Sequence, residues 1–289
     1  VIDLHTHSTA SDGTDSPEEL VALALAAGVD TLALTDHDTT GGWERAATAV
    51  SELTAPFTLV RGTEFSCFHA AGNGRTIGLH LLGYLFDPEA AELKQERAAL
   101  RDDRLDRGER LVANLAVDYP ISWQQVIDIA GDGSVGRPHI GRALVEAGVV
   151  STVSEAFAGP LSSAAPYYVA KRDMPVLAAI GMIRRAGGVP VIAHAWARTR
   201  GQILDERVIG ELVDHGLLGI EADHSDHTAP DAARLRDMAR RLGVLFTGSS
   251  DYHGTNKAVR LGAAQTQPEQ FQRLAAAASG AELIHSPAR

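Results

Sequence analysis

The sequence predicts an α/β protein: a distorted (β/α)7 barrel that carries a mostly helical insertion. Three observations point there. Short apolar runs alternate with helical patterns over the first 65 residues. The alternation stops between about 88 and 171 and then resumes. Most of the apolar runs are followed by histidine and carboxylate side chains, and a barrel keeps its chemistry at the C-terminal ends of its strands.

Val1 to His5 reads as a strand. Ser16-Pro17-Glu18-Glu19 then opens a helix, with Ser16 at the N-cap, Pro17 at the first helical position and Glu19 placed to close a capping box. Leu20, Leu23, Ala24 and Ala27 give it an apolar face, and Gly28 ends it. Thr31 to Thr35 is a second strand, the Gly41-Gly42 turn leads to a second helix through about Leu53, and Phe57 to Gly62 is a third strand. This order implies parallel pairing with right-handed crossovers.

Phe65 to Phe86 reads as a hairpin with its tip at 70–74. Beyond it the strand signal disappears. A long charged helix is expected from Ala90 to Val117, then shorter ones over Ser122 to Ala130 and Arg137 to Ala147. The predicted division is a barrel from 1–87 and 172–289 and a helical insertion domain from 88–171. After Asp173 the expected elements are a helix over Pro175 to Ala186, a strand over Val189 to Ala193 and a helix over Asp205 to His215. A strand over Leu218 to Glu221, a helix over Ala229 to Leu242 and a strand over Val244 to Thr247 follow. The strand count comes to about seven.

Composition limits the function. The 289 residues are 45% hydrophobic, enough for one large domain or one domain with a smaller one attached. No stretch approaches the roughly 18 to 20 continuous apolar residues that span a bilayer. The chain opens on the strand-like Val-Ile-Asp-Leu, with no sign of a signal peptide. The single cysteine, Cys67, precludes an intramolecular disulfide and reads as a small buried apolar group. A cytoplasmic setting is expected. A formal charge of −11 without any long Lys/Arg run argues against a surface for long duplex nucleic acid. A small phosphorylated substrate is still compatible, because bound cations invert the local field.

Six of the twelve histidines fall in short clusters with acidic residues. His5 and His7 flank one residue of an extended segment, so both rings can face one ion, and Asp12 follows in a loop. Asp36-His37-Asp38 follows the second strand, Glu64 the third, and His80 and His194 follow strands of their own. Asp251-Tyr252-His253 repeats the alternate spacing with a carboxylate. Each cluster alone has a bland reading: a surface pair, an N-cap aspartate, a satisfied core histidine. Recurrence at the same end of successive strands is what the bland readings leave unexplained. Imidazole suits zinc, iron and manganese, and carboxylates shift the preference toward harder ions.

At this point the chain resembles the PHP (polymerase and histidinol phosphatase) superfamily, specifically its stand-alone metal-dependent phosphoesterases. His5-Thr-His7, Asp12, Thr35-Asp36-His37-Asp38, Glu64, His80, His194 and Asp251-Tyr252-His253 look like that family's ordered motifs. Gly136-Arg137-Pro138-His139 is similar to the branch acting on nucleoside 3′,5′-bisphosphates and RNA 5′ ends. The resemblance implies three divalent ions, manganese, iron or zinc. One would be held by His5, His7, Glu64 and Asp251, a second by Glu64, His80 and His194, and a third by Asp12, His37 and His253. Asp12, Glu64 and Asp251 are then the carboxylates that serve catalysis. The implied enzyme is a phosphoric monoester hydrolase in which metal-activated hydroxide attacks phosphorus directly, with 5′-3′ exoribonuclease activity within its range. Its partner would be a small nucleotide or a short RNA 5′ end, with no membrane involved.

Asp36 and Asp38 are expected to orient imidazoles from behind. Arg137 and His139, with Lys171, are candidate contacts to a second substrate phosphate. Alternatively Arg137 makes a helix-start salt bridge and His139 faces solvent. Arg172, Arg198 and Arg200 are weaker candidates. His224 and His227 either line the mouth or are solvated, and Trp196 either packs or stacks on a base. Three other classes compete: a histidinol-phosphate-type phosphatase, an amidohydrolase-like metal hydrolase and a non-catalytic metal-binding accessory module. No lysine stands at a strand end to form the carbamylated bridge of the amidohydrolase type. The nine-residue set is complete, unlike that of an accessory module that has lost ligands.

Overall fold

The protein is an α/β barrel. A computed structural model describes residues 1–71, 74–131, 133–198 and 203–287. Seven strands form the main path: β1 (Ile2–Thr6), β2 (Thr31–Leu34), β3 (Thr58–Ala70), β4 (Thr76–Tyr84), β6 (Val189–Ile192), β7 (Gly219–His224) and β8 (Leu245–Ser249). Two short strands, β5 (Met174–Pro175) and β9 (Ile284–His285), both pair with β3. Beyond β8 the chain turns onto β1: the N–H of Asp251 donates to His5 O and that of His7 to Tyr252 O, both at 2.9 Å. The barrel is thereby nearly closed.

Six of these seven strands are parallel. β4 is reversed, antiparallel to both β3 and β6. This corrects two expectations. Glu64 does not follow a strand; it lies inside the long β3, which runs on for six more residues. His80 does not follow one either; it lies within β4, opposite Ser66. The reason is the hairpin. A tight antiparallel return needs no crossover helix, so β3 and β4 simply extend past the mouth.

The helices follow their sequence signals. α1 (Pro17–Ala26) has the full capping box: Glu19 N–H donates to Ser16 Oγ at 3.2 Å and Ser16 N–H to Glu19 Oε2 at 2.8 Å. Its buried face is Leu20, Val21 and Ala24, whereas Leu23, expected inside, is exposed. α2 (Trp43–Glu52) follows the glycine turn. α7 (Val176–Arg185), α8 (Glu206–Asp214), α9 (Ala229–Leu242) and α10 (Pro268–Ala277) cover the second half, α10 and β9 having carried no sequence expectation. Between β4 and β5 come α3 (Ala91–Leu115), α4 (Trp123–Ala130), α5 (Arg137–Glu146) and α6 (Val153–Ala158).

Alternation along the strands sorts the core. Leu32, Leu59, Leu81, Ile192 and Ile220 pack outward against the helices. Val60, Leu82, Tyr84, Val191 and Leu245 pack with Leu4 and Ala33 in a second cluster. Tyr84 donates its hydroxyl to Leu4 O at 2.7 Å, reaching a strand that is not its neighbour. That face is therefore the barrel interior. Glu64 shares it with Val60, and His80 shares it with Leu82. A separate apolar cluster, with Leu111, Val126, Ile140 and Leu144, sits among α3 to α6, while Leu93 and Leu100 tie the first half of α3 to the barrel. Among the described residues, no helix is long and apolar enough to cross a membrane.

Candidate metal centre

Glu64 is the hub of the barrel mouth. Its Oε2 lies 3.1 Å from His5 Nε2, 3.1 Å from His7 Nε2 and 3.3 Å from His37 Nδ1. Its Oε1 lies 2.7 Å from His80 Nδ1 and 2.8 Å from His194 Nε2. Asp251 Oδ1 approaches His5 Nε2, His7 Nε2 and His253 Nδ1 at 3.4 to 3.5 Å. Asp12 approaches His7, His37 and His253 at 3.5 to 3.7 Å. All nine residues singled out in the sequence thus meet in one pocket. Three overlapping groups bring one ligand atom from each member within 4.8 Å of the others: His5, His7, Glu64 and Asp251; His37, Glu64 and His80; and His7, Asp12, His37 and His253.

The donor chemistry fits cations. His5 Nδ1 is tied to Glu221 Oε1 at 3.0 Å, His7 Nδ1 to Ser11 Oγ at 3.4 Å and His253 Nδ1 to the Asp251 carbonyl at 2.9 Å. Each ring therefore turns its Nε2 inward. His5 Nε2 and His7 Nε2 stand only 3.1 Å apart. Such a crowd of electron-rich atoms needs positive charge among them, as protons or as metal. Without metal, protons serve. Burial alone would pull His5 and His7 down, but Glu64 and Asp251 outweigh it, and His7 is pushed up to about 9. His37 follows its burial instead and falls to about 3. Burial opposes the charge on Glu64 and Asp12, yet the surrounding imidazoles hold both well below the usual carboxylate range.

Backbone conformation at the mouth is unusual. Asp38, His194 and Asp251 all have positive φ, at 53°, 28° and 55°. Non-glycine residues rarely adopt that region, and such outliers concentrate at functional sites. The strain at His194 is held by its N–H, which donates to Glu221 Oε2 at 2.6 Å.

Behind the nine stands a layer of supports. Asp36 accepts from Ser8 N–H at 2.8 Å, Ser8 Oγ at 2.7 Å and Ser11 Oγ at 2.6 Å, so it acts on His7 through Ser11. Asp38 accepts from Ser66 and from Arg104 of α3. Glu221 accepts from His5, His194 and Ser249. His224 is buried, which removes the solvated reading; its Nδ1 accepts from Asp226 N–H, leaving Nε2 to donate to Asp251 Oδ2 at 3.3 Å. Glu221, Arg104 and Lys257 were not read from sequence. Glu221 carries the same signal as Glu64, a carboxylate inside an apolar strand. Arg104 is hidden among the many charges of α3.

Among the described residues, the substrate candidates have the following partners. Arg137 lies over the Phe157 ring, 5.0 Å from its centroid, with Nη1 3.4 Å from Leu161 O, and makes no helix-start salt bridge among the described residues. His139 is buried rather than solvent-facing, and its Nδ1 accepts from Gly136 N–H at 2.9 Å. Lys171 pairs with Asp173 at 2.9 Å, Arg172 with Glu96 and Arg198 with Asp231. Arg200 lies outside the described residues. Trp196 is buried, with Nε1 donating to Leu204 O at 3.0 Å, which makes it a packing residue. His227 is engaged too: Trp196 N–H donates to its Nε2.

Comparison with known proteins converges on the same chemistry. The PHP domain family model matches residues 3–118. A 3′,5′-nucleoside bisphosphate phosphatase of Chromobacterium violaceum is 33% identical over 266 residues, covering 90% of this chain and 89% of the relative. A 5′-3′ exoribonuclease of Haemophilus influenzae is 33% identical, covering 87% and 89%. A Bifidobacterium adolescentis structure described as a metal-dependent phosphoesterase superposes with a TM-score of 0.90 at 33% identity over 96% of each chain.

Proposed function

Because the chain belongs to the PHP domain family and is a metal-dependent phosphoesterase, we propose that it removes a phosphate monoester from a small nucleotide. The substrate is a nucleoside 3′,5′-bisphosphate, a mononucleotide or a short RNA 5′ end. Three divalent cations, of manganese, iron or zinc, would be held. The ligand sets are His5, His7, Glu64 and Asp251; Glu64, His80 and His194; and Asp12, His37 and His253. When bound, they acidify water toward neutrality and neutralise phosphoryl charge. The chain's own part is to hold that arrangement still. Glu221 and Ser11 fix the rings of His5 and His7, and Glu64 joins two of the sets.

One observation carries the second phosphate. Arg107 and Arg137 are close enough to repel one another, and neither makes an ion pair with a carboxylate among the described residues. Among the described residues, Arg107 Nε donates to Val169 O at 2.8 Å, and Arg137 Nη1 to Leu161 O beside the Phe157 ring. Arg104 and His139, nearby, both feel the charge of Asp12. A buried and a half-buried guanidinium of like charge beside a phosphate-processing pocket suit an anionic group. Lys171 would add to this field from its pair with Asp173. The named activities of the Chromobacterium and Haemophilus relatives support the same class.

The test is a phosphate-release screen with added Mn²⁺. It covers nucleoside mono- and bisphosphates and short 5′-phosphorylated oligonucleotides, with Arg137→Ala in parallel. Loss of Arg137 should reduce kcat/KM for bisphosphates far more than for monophosphates. Equal losses would remove the second-phosphate reading.

A further inference from the structure

We propose that Lys257 is a substrate-positioning residue, whose ammonium group donates to a phosphoryl oxygen at the rim of the metal pocket.

The chain has only three lysines, and this one stands at the mouth. Its Nζ donates to Asp251 Oδ2 at 2.7 Å and lies 3.5 Å from the Asp251 carbonyl oxygen. An ammonium has three hydrogens. At least one finds no acceptor among the described residues, and the side chain remains 30% exposed. The members of the nine with most access to solvent are His80 at 25%, His37 at 12% and Asp12 at 11%. His5 and His7 have none. The pocket is therefore open along its His80, His37 and Asp12 edge, and Lys257 flanks the Asp12 end of that edge. The charge of Lys257 acts on Asp12 and His253, both at this side.

Its placement is built, not incidental. Lys257 ends a short 3₁₀ turn, Gly254–Asn256. Gly254 takes a φ of +64° and packs so close to Thr14 that any side chain would collide with it. Thr255 N–H donates to Thr14 Oγ1 at 2.9 Å, and Asn256 Nδ2 to Asp12 O at 2.8 Å. The turn is thus clamped to the loop that carries Asp12. His224 reaches the same Asp251 Oδ2 from the other side at 3.3 Å. With His224 on that oxygen, Asp251 keeps a donor when Lys257 turns toward an incoming phosphate.

The inference rests on the phosphoesterase activity but not on the choice of nucleotide, so inorganic phosphate is a sufficient probe. Phosphate is titrated calorimetrically into wild-type, Lys257→Met and Lys257→Arg protein at saturating Mn²⁺, and bound metal is counted by mass spectrometry. Lys257→Met should keep its metal and weaken phosphate binding about 10- to 100-fold, as expected for one lost charge-assisted hydrogen bond. Lys257→Arg should recover part of that loss. With p-nitrophenyl phosphate, KM should rise in the same proportion. Unchanged phosphate affinity in Lys257→Met would overturn the proposal. So would metal loss that saturating Mn²⁺ cannot restore, because Lys257 would then act only by holding Asp251.

Discussion

His5 Nδ1 and Glu221 Oε1 lie 3.0 Å apart, and both side chains are fully shielded from solvent. The carboxylate also accepts the His194 N–H, so one glutamate sets two candidate ligands, His5 on β1 and His194 just beyond β6. Supports of this kind fix the ring tautomer and raise ligand basicity. Glu221→Gln should therefore lower metal affinity or activity by about 10- to 100-fold while the fold persists. Metal titration with a chelating competitor, alongside circular dichroism, checks both halves.

The metal-free protein should lose stability as pH rises from near neutral. The folded pKa of His7, about 9, stands above the ordinary histidine value of 6.5. A group shifted upward stabilises the fold fully below its unfolded pKa, and that contribution fades as pH passes through the folded value. Thermal unfolding of chelated protein should thus show a falling Tm between about pH 6.5 and 9. Mn²⁺ should flatten that slope and release protons on binding, which unbuffered titration can count. A metal-free Tm that climbs over this interval would contradict the assignment.

Arg104 joins α3 to the barrel mouth through Asp38, whose side chain has no exposure. Burial opposes the Asp38 charge, and Arg104, with His37 and the Ser66 N–H, outweighs it. Arg104→Ala should destabilise the protein by about 3 kcal/mol or more, since it strands a buried carboxylate. Asp38→Asn on that background should recover part of the loss. Denaturant unfolding of the two single variants and the double variant measures the coupling.

Hydrolysis should transfer one solvent oxygen to each phosphate released. The sole cysteine, Cys67, is buried, with its thiol held well above its usual pKa by that burial. Turnover in oxygen-18 water should label inorganic phosphate once, with no phosphoenzyme trapped on acid quench. A trapped phosphoenzyme would exclude direct attack by water.

Much of this was legible because local rules agreed with the fold. The Ser16-Pro17-Glu19 signature gave α1 its start, and the nine ligand-type residues were read from their clustering after apolar runs together with the family resemblance. What escaped was non-local. The direction of β4 depends on hairpin pairing, so His80 and Glu64 were expected after strands and lie inside them. Leu23 fits a helical apolar stripe but meets solvent. His224, at the end of β7, and Lys257, just past the turn after His253, gain meaning only when both reach Asp251. Arg97 and Arg107 are buried within a helix whose composition reads as a solvated one.

The reversal of β4 also dictates the size of α3. A parallel strand would have delivered the chain to the mouth; β4 delivers it to the opposite floor, where Asp87 N–H bonds to Ala186 O. The chain must climb the outer wall before Arg104 can meet Asp38. From Ala91 to Arg104, at about 1.5 Å per residue, α3 supplies roughly 20 Å of travel. Helix length thus acts as a spacer gauge: removing one turn from α3 would swing Arg107, Arg137 and His139 away from the opening and leave the nine residues untouched.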